Sequence, residues 1–87
     1  MNDQILKGIK QSLTNEEITS IRITRALRAL EVNCYLVARQ ACDLALTSSE
    51  WIEQKLAIMA IKEVAAQEDK EATKQFLQQI YGIEGDR

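Results

Sequence analysis

Histidine and proline are absent from this 87-residue chain, glycine occurs three times, and aromatic residues make up 5% of it. Without histidine there is no imidazole to act as general base, proton shuttle or zinc ligand near neutral pH. Ser-His and Cys-His nucleophile pairs are thereby excluded, as is the Glu-x-x-His pair of di-iron bundles. The scarcity of aromatic and turn-forming residues argues against a strand-rich fold. Cys-x-x-Cys, EF-hand and glycine-rich phosphate-loop spacings are also missing. No cofactor, metal site or catalytic activity is expected.

Positive charge is not in excess. The chain has 11 basic against 13 acidic side chains, a net charge of −2. That is a weak electrostatic footprint for an independent nucleic-acid binder. No uncharged run approaches the ~18 residues of a membrane span, and the N-terminal MNDQILKGIKQ is polar and acidic where a signal peptide is basic and then apolar. The two cysteines, Cys34 and Cys42, are too far apart along one helix to bridge. Read as buried free thiols, they point to a cytoplasmic protein.

What is present is helical punctuation. Thr14 and Glu17 have the spacing of a capping box, with Leu13 and Ile18 as a hydrophobic staple. Thr47 and Glu50 repeat it, with Leu46 and Trp51 as the staple and Trp51 as a core anchor. Helix starts are therefore expected at both threonines. Between them residues 15–46 contain no glycine or proline. There Ile23, Leu27, Leu30, Cys34, Val37, Ala41 and Leu44 alternate in spacings of four and three, a heptad seam. One helix over 15–46, about 50 Å long at 1.5 Å per residue, follows.

A second helix is expected over 48–67, apolar nearly all round, and a third over 69–81, with Asp69 as a possible cap and Gly82 as a left-handed stop backed by Ile83. Whether 48–67 and 69–81 are continuous is left open by the absence of a breaker. Ile5, Ile9 and Leu13 suggest a short helix over 3–11. Residues 49–80 resemble one helix pair of a HEAT-type repeat without a diagnostic motif, and a solenoid needs about three stacked units.

The expected fold is all-α: a long antiparallel helical hairpin with short flanking helices, completing a helical bundle by self-association. Val32, Leu36, Arg39 and Leu46 project opposite the seam, with Tyr35 and Cys42 somewhat further round. A hairpin of two such helices has more apolar surface than it can hide, and a second chain is the expected cover. The candidate interface is Val32, Tyr35, Leu36, Arg39 and Leu46, with Ile58 and Ile61 on the second helix. The chain is accordingly expected to be a small non-catalytic subunit, a homodimer or a component docked on another protein. The alternative is a subunit of a nucleoprotein complex, meeting phosphate through Arg22, Arg25, Arg28 and Arg39. The acidic residues Glu16, Glu17, Glu68, Asp69 and Glu71 read as helix-end and turn residues.

Overall fold

A computed structural model describes residues 13–82, which form four helices: α1 (Asn15–Glu31), α2 (Tyr35–Ser48), α3 (Ile52–Gln67) and α4 (Lys70–Tyr81). The described residues are all-helical, with no strand. The expected helix over 3–11, the residue Ile83 and the tail lie outside them.

The start of α1 follows the sequence. Thr14 Oγ1 accepts from the Glu17 amide at 3.1 Å, and the Glu17 carboxylate accepts from the Thr14 amide at 2.8 Å. Each side chain thus satisfies an amide that the first turn leaves without a helical partner.

The helix expected over 15–46 is not continuous. It stops at Val32, and Asn33 takes a left-handed φ of 59°. The Asn33 amide donates to Leu30 O at 3.0 Å and the Cys34 amide to Ala29 O at 2.8 Å. These two bonds are a Schellman termination, which needs a left-handed residue at its centre. Asparagine tolerates that conformation, so no glycine is required. The Asn33 side chain adds a tie, accepting at Oδ1 from the Tyr35 hydroxyl at 2.9 Å.

The second capping box does not form either. Thr47 lies inside the last turn of α2, where its hydroxyl donates to Leu44 O at 2.6 Å. The Glu50 carboxylate accepts from Asn15 Nδ2 at 2.9 Å. With both members of the box engaged elsewhere, α3 begins after Trp51, which caps it without a side-chain bond and stands exposed. Trp51 is therefore not a core anchor.

Between α3 and α4 the chain does break. Glu68 is left-handed at φ 51°, and Asp69 Oδ1 accepts from the amides of Glu71 at 2.9 Å and Ala72 at 3.1 Å. Gly82 ends α4 at φ 67°, its amide donating to Gln78 O.

α1 and α2 pack antiparallel, joined by contacts that run in opposite directions along the two helices. Thr19 and Ser48 share a hydroxyl bond of 2.6 Å, and Arg22 Nη1 donates to Leu44 O at 2.8 Å. α3 returns along α2, with Lys62 on Asp43 at 2.6 Å and Arg39 on Glu68 at 3.1 Å. α2 is therefore central, and α4 closes across the end formed by the α1–α2 elbow.

Alanine dominates the buried apolar positions, which are Ala26, Ala29, Leu30, Ala38, Ala41, Cys42, Ala45, Ile58, Ile61 and Ala65. Small side chains let helices approach closely, but each contributes little apolar area. The array measures 47 × 26 × 22 Å with a radius of gyration of 14.9 Å. A spherical domain of this length would have about 11–12 Å.

The expected seam is divided by the elbow. Leu30 and Ala41 are buried, and Ile23 and Leu27 pack half-buried against the core. Cys34, Val37 and Leu44 are exposed, because the break rotates α2 relative to α1 and a single heptad register does not run through both.

Candidate interaction surfaces

The candidate interface residues separate into three groups. Val32 and Leu36 stand out at the elbow, 67% and 60% exposed. Tyr35 and Leu46 are half-buried against the core, and Arg39 is half-buried in its pair with Glu68. Ile58 and Ile61 are buried inside the chain and cannot meet a partner. A helix apolar on all sides gives no periodic signal of which side turns inward, and α3 turns these two towards α2.

α3 therefore presents its other side. Ile52 is 69%, Leu56 59% and Met59 56% exposed. They follow at spacings of four and three, and the same rhythm continues through the exposed Glu63 and Ala66. This is an outward heptad stripe on a helix whose opposite face is anchored by Ile58, Ile61 and Ala65. The sequence contained its spacing, but the apparent seam of 15–46 and the interior assignment of Ile58 and Ile61 could be settled only by placing the helices.

Two grooves flank the helices. One, of about 630 Å³, lies between the end of α1 and α4, with Leu30 and Leu77 on its apolar lining and Glu31, Lys70, Lys74 and Tyr81 among its polar groups. It is open to solvent. Its buried hydroxyl, Thr73 Oγ1, is already bonded to Asp69 O at 2.7 Å. The Tyr81 hydroxyl donates to Glu31 Oε2 at 2.5 Å. That bond, with lesser contributions from desolvation and the Glu31 charge, pushes the phenol above its usual value, since ionisation would set two anions side by side. The second groove, of about 290 Å³, runs between α1 and α2 and is lined by Leu13, Ile18, Ile21, Arg22, Arg25 and Leu44, together with Ala41.

The arginines do not form one face. Arg22 reaches across to α2, donating to Leu44 O and to Thr47 Oγ1 at 3.2 Å. Arg39 belongs to a different helix and is paired with Glu68. Arg25 and Arg28 alone of the four are exposed without an ion pair or hydrogen bond among the described residues.

Cys42 does not have the setting of an activated nucleophile. Burial pushes the Cys42 thiol up to about 11, with the Asp43 charge adding to the shift and Lys62 opposing it. Cys34 is exposed at the elbow, contrary to its expected burial. Among the described residues no cluster of histidine, cysteine or carboxylate side chains could hold a metal ion, and no helix is long and apolar enough to cross a membrane. No protein family, curated protein or solved structure matches the chain.

Proposed function

We propose that this chain is a non-catalytic helical interaction subunit that self-associates, either alone or as a component of a larger protein assembly. The observation that carries the reading is the inversion of size between inside and outside. Alanine holds six of the ten buried apolar positions, while Val32, Leu36, Ile52, Leu56 and Met59 are directed to solvent. Full burial of a side chain of that size is worth about 1.5–3 kcal/mol, so these residues hold much of the apolar energy that the chain does not use on itself. Exposed apolar side chains grouped on one helix face, as Ile52, Leu56 and Met59 are, mark an association face. The acidic balance and the engagement of Arg22 and Arg39 within the chain, which leaves two of the four candidate arginines for phosphate, support protein contact over the nucleic-acid reading.

Sedimentation equilibrium over a series from micromolar to millimolar concentration tests this. A rise in mass towards an integral multiple of 9.9 kDa is expected. A monomer throughout the series overturns self-association.

A further inference from the structure

We infer that the outward stripe of α3 is the self-association face and that it pairs antiparallel with α3 of a second copy, centred near Met59. The inference rests on the self-association reading above and adds the surface, the partner and the orientation. Ile52, Leu56, Met59, Glu63 and Ala66 are all exposed and repeat at the four-three spacing that lets one helix lie along another with a shallow crossing. In a symmetric pair each residue meets its counterpart's partner reciprocally. When the copies run antiparallel about Met59, the bulky Ile52 is level with the small Ala66 of the second copy. Lys55, on the edge of the stripe, is level with the second copy's Glu63. Two such lysine-glutamate contacts form, one on each side of Met59.

The charges decide the orientation. In a parallel pair Glu63 would face its own copy across the seam, a like-charge contact in the least hydrated part of the interface. The antiparallel arrangement replaces that repulsion with attraction. Lys62 is the other cation on the Lys55 side of α3, and it is already bound to Asp43 of its own chain at 2.6 Å, so its charge is compensated. The alternative faces lack this complementarity. The groove between α1 and α2 is lined by Arg22 and Arg25 with no acid, so symmetric pairing there would set arginines against one another. At the elbow, where Val32, Leu36 and Val37 are exposed, the nearby charges of Glu31 and Arg39 are already engaged within the chain, by the Tyr81 hydroxyl and by Glu68.

The α3 helix is 16 residues, about 24 Å long, which makes a contact at the small end of stable interfaces. Modest electrostatic changes should therefore be legible in the dissociation constant. The test is sedimentation of the wild type, Lys55→Glu, Glu63→Lys and the double variant carrying both changes. Met59→Glu and Leu36→Glu complete the set, and circular dichroism confirms that each remains helical. The positions are exposed, so folding is not expected to suffer. Each single charge reversal should weaken the dimer by about tenfold. The double reversal should restore it, Met59→Glu should abolish it, and Leu36→Glu should leave it unchanged.

A dimer indifferent to Lys55→Glu, Glu63→Lys and Met59→Glu overturns the α3 face while self-association stands. In that case loss of the dimer with Leu36→Glu transfers the interface to the elbow. Single variants that weaken the dimer without rescue by the double reversal overturn the antiparallel register. A wild type that stays monomeric at every concentration defeats both the inference and the reading beneath it.

Discussion

Asn33 separates the two architectures available to residues 15–48 by the sign of a stability difference. The perturbation is a pair of substitutions, Asn33→Ala and Asn33→Gly. In the elbow the residue holds φ at 59°. An L-residue with a Cβ pays about 1–2 kcal/mol there, and glycine does not. Alanine recovers part of this because it restricts the unfolded chain more than glycine does. The glycine variant should therefore be the more stable by about 1 kcal/mol. Both substitutions remove the acceptor of the Tyr35 hydroxyl bond, so that loss cancels between them. Were residues 15–46 one uninterrupted helix, the order would reverse, because alanine exceeds glycine by about 1 kcal/mol in a helix interior. The two architectures thus differ by about 2 kcal/mol in this comparison. Urea denaturation followed by circular dichroism resolves it: with a slope of about 1–2 kcal/mol per molar, the glycine variant should unfold at a midpoint about 0.5–1 M higher. An alanine variant more stable than the glycine variant would refute the elbow and its Schellman bonds.

Asp69→Ala removes the acceptor for two amides at the start of α4 and should cost about 1 kcal/mol, read as a lower denaturation midpoint. Cys42 is protonated more tightly when folded than its ordinary value of 9.0, near 11, so its contribution to stability is complete below about pH 9 and is lost as the pH rises towards 11. A pH series of denaturation midpoints should show this alkaline decline reduced in Cys42→Ala, and a thiol reagent at neutral pH should label the exposed Cys34 before Cys42.

Several features were legible in the sequence because they depend on atoms within a few residues of one another. The Thr14–Glu17 box and the Asp69 cap are such cases, and the structure forms the bonds that their spacing calls for; Gly82 takes the left-handed conformation expected of a stop. The second box had the same spacing and did not form. Thr47 and Glu50 found other partners, the carbonyl of Leu44 and the amide of Asn15, of which the second comes from another helix. Local chemistry offers a cap, and tertiary contacts decide whether it is used. The same holds for the arginines: with residues 15–46 read as one helix, Arg22 and Arg39 belong to one set, whereas the elbow puts them on different helices with different intramolecular partners.

The shortage of histidine, proline, glycine and aromatic residues, taken with the periodic apolar pattern, determined by itself that this protein is helical and without imidazole chemistry. Periodicity and capping are properties of one segment. Only the tertiary structure decided where the long segment bends and which side of α3 faces inward. Asn33 can continue a helix or end it, and the choice depends on whether α2 gains more by folding back on α1. A helix apolar all round can bury any side, and α2 selects Ile58 and Ile61 while leaving Ile52, Leu56 and Met59 to solvent.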